Sequence, residues 1–318
     1  MLESLVAVAR QVGILFLLMG VGFVCRRTKI LGEASLKGMA DLLILVVTPC
    51  LIVHAFQAHP YEPRLLVGLG WAFALAALAH ALGLAAACLL VRDRAVRTRS
   101  VLRAAIVFSN AGFMGIPLEY ALLGADGVFY GIAYVVVFNL VFWSWGLVAF
   151  CGSLKDVRPL TLFLNPGSVG VALGLPLFLF SWPLPEAVGT PVKMMADLNT
   201  PLAMIIIGAN LATAALGPVA RLPKAYLAGA LRLVAVPGAF LALVWALVRL
   251  GVALEPKMAV AIVTAASAPV AALTSMFAVR YDRDVALSAG LVSGTTLLSM
   301  LTMPPLVGGA LWLFGGGA

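Results

Sequence analysis

Residues 101–122 read VLRAAIVFSNAGFMGIPLEYAL, an apolar run with a polar and flexible centre. The run is long enough to cross a bilayer, whose core needs about 20 residues of helix. Its middle is interrupted by Ser109 and Asn110, then by Gly112 and Pro117. A proline inside a helix removes one backbone hydrogen bond, and in lipid the freed carbonyls must be satisfied by protein or by water in a cavity. The stretch therefore predicts a membrane helix that is broken at mid-depth beside a cavity.

The rest of the chain is equally apolar. Of its 318 residues, 63% are hydrophobic and 11% are charged, whereas a soluble domain carries about 25% charged residues. The runs lack the two-residue alternation of an outer-membrane barrel. We therefore predict an all-α, polytopic membrane protein with ten transmembrane helices. The predicted spans are residues 5–25, 36–56, 65–90, 101–122, 127–150, 164–182, 191–214, 224–249, 257–279 and 286–314.

The basic residues predict the orientation in the membrane. Lys and Arg number fifteen in the loops after spans 1, 3, 5, 7 and 9 and four in the other loops. Retained positive charge marks the cytoplasmic side, so both termini are expected on the extracytoplasmic side of the cell membrane. No basic region precedes the first apolar run, so that run is expected to remain as a span. The net charge of +8 is spread over short loops, which argues against a nucleic-acid partner.

An internal repeat is indicated by the prolines. Pro49 and Pro201 lie 152 residues apart, as do Pro117 and Pro269. Each pair occupies spans that are five apart. Because five is odd, a duplicated half enters the membrane the opposite way round, which predicts two inverted repeats. The predicted halves are residues 1–151, with spans 1 to 5, and residues 152–318, with spans 6 to 10.

Span 9 is interrupted like span 4, by Thr264, Ser267 and Pro269. One such proline alone is better explained by a structural kink. Two discontinuous helices in corresponding positions instead indicate the binding site of a transporter. Helix N-termini at a break present unpaired N–H groups and a positive dipole end, which suit a carboxylate.

The residues from Asn110 to Leu118 resemble the Asn-x-x-x-x-Gly-x-Pro-Leu stretch of the auxin efflux carrier family. This family includes plant auxin carriers and bacterial malate or malonate permeases. The likeness covers essentially the whole chain. It continues through Gly20-x-Gly22, Arg26-Arg27, Thr48-Pro49, Asn165-Pro166, Pro201, Gly208-Ala-Asn-Leu211, Ala268-Pro269 and Arg280-Tyr281.

The resemblance implies a fold like that of bile acid sodium symporters, in which broken helices 4 and 9 cross beside the substrate. By the same analogy, spans 1, 2, 6 and 7 form a scaffold through which a homodimer can form. Spans 3 to 5 and 8 to 10 form a moving transport domain. The family moves organic anions, with or without ion coupling. This chain departs from many members at Ala266, Ser267 and Ala268, where a more polar run is usual.

The candidate substrate-binding residues lie in or near the interruptions. Asn110 is expected either to contact the ligand or to cap a helix, and Asn139 either to line the site or to join helices. Arg232 is costly in hydrocarbon, so it is expected either to face the protein interior or a cavity, or to reach toward the cytoplasmic face. The full set is Asn110, Gly112, Gly115, Pro117, Asn139, Arg232, Ser267, Ala268 and Pro269.

The candidates for ion coupling are His80, Asp197 and Asn199. A histidine can relay a proton near neutral pH, although a hydrogen bond to a neighbouring helix is the better explanation of His80. A carboxylate at Asp197 could bind a cation or carry a proton. Coupling to protons or sodium is therefore open. The scattered histidines and the separated cysteines indicate no metal site, and we expect no cofactor.

The leading hypothesis is a secondary transporter that moves a small carboxylate, such as malate, malonate or an auxin-like acid, by alternating access. The alternatives are a sodium-coupled transporter like the bile acid symporters, or a channel. A channel would need a selectivity ring, for which the sequence gives no sign. An enzyme is not expected, because HExxH and GxSxG motifs are missing from the sequence. A non-transporting sensor with the same fold is compatible with the sequence.

Overall fold

The computed structural model describes residues 2–152, 166–214, 216–219 and 221–315. Some predicted features lie outside the described residues: Lys155, Arg158 and the first two residues of predicted span 6, Leu164 and Asn165. The first six helices are α1 (Leu2–Arg27), α2 (Glu33–Gln57), α3 (Pro63–Leu90), α4 (Val96–Val107), α5 (Ala111–Leu123) and α6 (Ala125–Cys151). The others are α7 (Pro166–Leu179), α8 (Glu186–Leu211), α9 (Leu216–Val219), α10 (Pro223–Arg249), α11 (Pro256–Ser267), α12 (Leu273–Arg280) and α13 (Val285–Gly315).

Seven of these helices are long and apolar enough to cross a membrane, by length and composition: α1, α2, α3, α6, α8, α10 and α13. Three shorter apolar helices are α5, α7 and α11. Their Leu and Ala content explains the helical state, because these residues have the highest helix propensities. The described chain is therefore an all-helical, multi-pass membrane protein.

The two predicted interruptions are real breaks in the helices. Predicted span 4 is divided into α4, which ends at Val107, and α5, which begins at Ala111. Predicted span 9 is divided into α11, which ends at Ser267, and α12, which begins at Leu273. The extended residues between them meet as an antiparallel bridge that pairs Ser109 with Val270.

The 152-residue offset does not superimpose the two breaks. Pro117 lies in α5, after the first break, whereas Pro269 lies inside the second. The helices that lead into the breaks end at Val107 and Ser267, 160 residues apart. Proline spacing therefore identified the correct spans but an incorrect register within this pair.

Most of the local deviations from α-helix are π-helical turns that come just before a proline. Such turns comprise Leu43–Val47, Ala111–Gly115 and Leu231–Ala235, and each is followed at the second position by a proline: Pro49, Pro117 and Pro237. The proline ring clashes with the carbonyl of the preceding turn, and a widened turn gives that carbonyl room. A fourth such turn, Phe142–Gly146 in α6, has no following proline.

Glycines allow two pairs of helices to pack at backbone distance. A Cβ at Gly22 of α1 would lie 2.1 Å from the carbonyl oxygen of Ile205 in α8, and one at Gly208 of α8 would lie 1.8 Å from that of Met19. Gly170 and Gly174 of α7 make a similar close contact with α2. The pairs α1–α8 and α2–α7 are therefore held by contacts that only glycine permits.

Ion pairs join the loops at each end of the helix bundle. At one end Lys224 pairs with Asp93, and Arg97 pairs with Asp282 at 2.7 Å. At the other end Asp126 pairs with Lys257 and lies 3.0 Å from Nε2 of His59. The first end carries loops that follow spans 3, 7 and 9 of the prediction, and the second carries loops that follow spans 2, 4 and 8.

Candidate functional site

The site is organised by the crossing of the two interrupted segments. The backbone N–H of Asn110 donates to the carbonyl of Pro269 at 2.7 Å, and that of Ala271 donates to the carbonyl of Phe108 at 2.9 Å. The N–H of Val270 donates to the hydroxyl of Thr295 at 3.1 Å. These bonds satisfy non-helical backbone within the protein, as a lipid environment requires.

Arg232 lies at the carbonyl side of this crossing. Its guanidinium donates to the carbonyls of Ile106, at 3.1 Å, and Val107, at 3.3 Å, and also to that of Ala266. These are among the last carbonyls of α4 and α11, which have no partner within their own helices. Arg232 is 1% exposed, so one buried cation caps two helix C-termini and opposes their negative dipole ends.

A cavity of about 180 Å³ lies beside the crossing. Its wall is mostly apolar, with four uncharged polar side chains, Thr48, Ser109, Asn110 and Asn139. Of the four π-helical turns in the described residues, three contribute to the wall, through Ile44, Gly112, Phe113 and Trp143. The remaining lining residues are Val135, Phe138, Pro166, Gly167, Ala271, Ala272, Leu273 and Met276.

Two helix N-termini open onto this cavity. Gly112 and Phe113 form the first turn of α5, and Ala272 and Leu273 are at the start of α12. The first N–H groups of a helix have no intrahelical partner and carry the positive end of the dipole. The cavity wall therefore offers backbone donors and positive potential without a cationic side chain among its described lining residues, which is an arrangement suited to a small anion.

Asn110 is one of the residues that line the cavity. The residue is 6% exposed, and within the described chain its amide makes no capping hydrogen bond. Its backbone carbonyl instead accepts from the N–H groups of Met114 and Gly115, at 2.9 and 3.2 Å. The carboxamide is therefore free to donate or accept toward a molecule in the cavity. Asn139 also lines the cavity, with its amide nitrogen donating to the carbonyl of Val135 at 2.8 Å.

Several predicted site residues lie outside the cavity wall: Gly115, Pro117, Arg232, Ser267, Ala268 and Pro269. Gly115 faces α11, where a Cβ would lie 3.3 Å from the Cα of Ala265. The hydroxyl of Ser267 donates within its own helix, to Val263 at 2.7 Å. Pro269 contributes its backbone carbonyl to the crossing. These residues shape the break, and Asn110, Gly112 and Asn139 are the predicted residues that border the cavity.

The three ion-coupling candidates occupy different places. His80 is buried, with Nδ1 at 2.8 Å from the Ala76 carbonyl oxygen and its ring 4.7 Å from that of Tyr134. Asp197 forms a partly exposed ion pair with Lys193 at 2.7 Å. Asn199 is buried at the step between the two segments of α8, and its amide nitrogen has no partner in the described residues. They do not line the cavity.

Sequence reasoning did not select two informative residues. Thr48 lines the cavity. The sequence shows it before Pro49, as Thr200 stands before Pro201, but it was not predicted as a site residue. Glu119 is completely buried in α5. A single acid within an apolar span is itself a signal of function.

Comparison with known proteins agrees with this geometry. No curated protein matches the chain closely. A family model described as "Membrane transport protein" matches residues 7–159 and 153–307. These matches cover nearly the whole chain, and together with the broken, crossing helices they show that this protein is a membrane transporter of the auxin efflux carrier family.

Proposed function

We propose that this protein is a secondary transporter that moves a small organic anion across the cell membrane by alternating access. The observation that supports it best is the cavity at the crossing, where two helix N-termini and the free amide of Asn110 converge. These groups recognise negative charge and hydrogen-bond acceptors. Few polar groups in an apolar wall are typical of small-molecule sites.

We further propose that ten spans form two inverted halves of five. The seven long helices, α7, and the pairs α4–α5 and α11–α12 would account for the ten. In two inverted halves, spans 1 and 2 correspond to spans 6 and 7. The glycine-mediated contact of α1 with α8, which are spans 1 and 7, then corresponds to the contact of α7 with α2, which are spans 6 and 2. The ion pair of Arg97 with Asp282 similarly corresponds to that of Lys257 with Asp126. Each joins the start of one interrupted span to a residue at or just before the start of the helix that follows the other interrupted span.

In this proposal α1, α2, α7 and α8 form the scaffold, and the other helices form the transport domain. The cavity lies between them, because α2 and α7 supply one wall and the crossing supplies the other. We place its opening on the cytoplasmic side, since Trp143 lies toward the C-terminal end of α6 and Pro166 begins α7, and the charge distribution of the sequence predicts both of these helix ends to be cytoplasmic. Both termini would then be extracytoplasmic, and a homodimer would form through the scaffold.

Uptake by reconstituted vesicles tests the proposal. We expect purified protein to give saturable uptake of radiolabelled malonate or malate. Asn110→Ala should lower the specific uptake about tenfold, because a lost hydrogen bond to a charged group is worth about 1.5–3 kcal/mol. Asn210→Ala is the matched control, since Asn210 is exposed at the end of α8, and it should transport at the wild-type rate.

Two results would contradict the proposal. A flux that never saturates with anion concentration would indicate a channel instead of a carrier. Equal uptake by Asn110→Ala and Asn210→Ala would mean that the cavity at the crossing does not hold the anion.

A further inference from the structure

Glu119 is a buried acid on α5 that the crossing and the cavity do not use. It is 0% exposed, and neither carboxyl oxygen has a hydrogen-bonding partner among the described residues. A Cβ at Gly131 of α6 would lie 1.7 Å from Oε2, and one at Gly115 would lie 3.4 Å from Oε1. Glycines on two facing helices therefore leave a socket that the carboxyl group fills.

This socket favours a neutral carboxyl group. An ionised carboxylate without hydrogen bonds is strongly unfavourable in an apolar interior, and such a group takes up a proton instead. Packing alone does not require an acid at this position, because a glutamine or an aliphatic side chain would fill the same space. Ionisable residues inside membrane helices are rare and commonly mark ion or proton pathways.

Few ionisable groups surround the socket. Tyr134 of α6 interacts electrostatically with Glu119 and with Arg232, and its hydroxyl accepts from Ser109 at 3.2 Å. Tyr130 of α6 is also buried. On the helices packed against α5, the remaining titratable or charged groups are Asp126 and Cys151 on α6, Lys257 on α11, Glu186, Lys193 and Asp197 on α8, and Glu3, Arg10, Cys25, Arg26 and Arg27 on α1. In α5 itself Tyr120 follows Glu119.

The socket suits a proton better than a metal cation. Metal cations of the oxygen-binding class take several oxygen ligands at once, whereas in the described chain no side-chain oxygen or nitrogen hydrogen-bonds to the Glu119 carboxyl. A proton needs only the carboxyl group. Glu119 follows Gly112, which borders the cavity, by seven residues, or about 10 Å along a helix. One short helix therefore carries the socket and part of the anion site.

We propose that Glu119 is the proton carrier of this transporter. It binds one proton when α5 faces one side of the membrane and releases it to water on the other side, once per transport cycle. The proposal rests on the proposed transport function, and it replaces His80, Asp197 and Asn199 as the group that couples transport to protons.

Carbodiimide labelling tests the proton exchange without any substrate. Dicyclohexylcarbodiimide reacts with protonated carboxyl groups in apolar surroundings, and peptide mass spectrometry locates the adduct. We expect Glu119 to be labelled at about pH 5 and labelled progressively less toward about pH 9, a range that covers buried glutamates. Glu119→Gln should lack this adduct, and exposed Glu62→Gln should keep it. Absence of labelling throughout, or labelling that does not change with pH, would overturn the proposal.

Vesicle transport tests the coupling. In wild type, a gradient of about one pH unit should change malonate accumulation about tenfold for one coupled proton. Glu119→Gln should still exchange malonate but should lose this response, while Glu62→Gln should retain it. An equal response in wild type and Glu119→Gln, or a response to a sodium gradient alone, would overturn the proton proposal and leave transport intact. If wild type moves no malonate, the function proposed for that anion fails, and the labelling experiment still decides the role of Glu119.

Discussion

The two sides of the helix crossing differ in how the helix ends are capped. On the carbonyl side, α4 and α11 end against the guanidinium of Arg232, which is fully buried and donates to both helices. On the N–H side, α5 and α12 begin at a cavity, and the described residues give the Asn110 amide no partner there. The helix C-termini on one side are thus capped by a side chain of the protein, whereas the helix N-termini on the other side are left open.

This difference indicates which side is structural and which is functional. Helix C-termini attract cations, and the protein supplies its own in Arg232. Helix N-termini attract anions, and the described lining residues of the cavity include no acid. A ligand that completes the second side would therefore be an anion. The following predictions test this division, beginning with the largest expected effect.

Loss of the Arg232 guanidinium should damage the carbonyl side most. In Arg232→Ala, three buried carbonyls lose their donor, and each unsatisfied group costs about 1–3 kcal/mol. We expect a loss on the order of 3–5 kcal/mol, which corresponds to a fall in Tm of roughly 10 °C. Thermal unfolding in detergent, followed by size-exclusion fluorescence, measures it. Arg249→Ala is the control, because Arg249 is exposed over the ring of Trp245. Equal Tm values for the two variants would refute the capping role.

Two glycines in one π-helical turn sharpen the comparison. Gly115 packs against the backbone of α11, whereas a Cβ on Gly112 would meet no atom within 4 Å. Gly115→Ala should therefore destabilise the protein by about 1–3 kcal/mol through overpacking. Gly112→Ala should keep or slightly raise Tm, since alanine favours helix over glycine, yet lower anion uptake by narrowing the cavity. Tm and vesicle uptake measured on both variants check this. If Gly112→Ala lowered Tm and Gly115→Ala lowered only the uptake, Gly115 and not Gly112 would be the glycine that faces the cavity.

An ion pair far from the crossing should matter least. The Lys224 ammonium donates to Asp93 and lowers the pKa of that carboxyl group. A lowered pKa in the folded state means that the contact stabilises the protein above the ordinary Asp pKa of about 4 and is lost as pH falls through the folded value. Asp93→Asn should therefore lower Tm slightly at neutral pH and not at all in strong acid. Tm measured across pH, with wild type alongside, tests this. If the Tm of Asp93→Asn stayed below that of wild type in strong acid, the destabilisation would come from a contact other than the ion pair.

Much of the fold could be predicted from local sequence. Composition gave the all-helical membrane class, and Ser109 to Pro117 located a real break. The proline spacing pointed to spans 4 and 9, and both contain a break. The two prolines do not occupy equivalent places, because Pro117 follows a widened turn while Pro269 lies in the break itself. A proline shows where a helix is disturbed, but the hydrogen bonds of the surrounding turn decide whether the helix ends there.

The candidate site was only partly predictable. Asn110, Gly112 and Asn139 border the cavity as their positions in the interrupted or polar parts of spans suggested. Arg232 was expected either to face the protein interior or a cavity, or to reach toward the cytoplasmic face. It lies in the interior, but the sequence did not show that its Nη1 and Nη2 groups donate to carbonyls of residues more than 30 positions away. Glu119 was not predicted as a site residue. The sequence around it does not show whether its carboxyl group lies in a glycine-lined socket or faces another polar group.

The sequence alone determined that this protein spans the membrane repeatedly as helices and that span 4 is interrupted, because hydrophobicity and proline chemistry act within a few residues along the chain. Only the tertiary structure decided that the two breaks cross, that Arg232 caps one side of the crossing and that Gly131 makes room for Glu119. Those contacts join residues on different helices, and their formation depends on how whole helices pack in three dimensions.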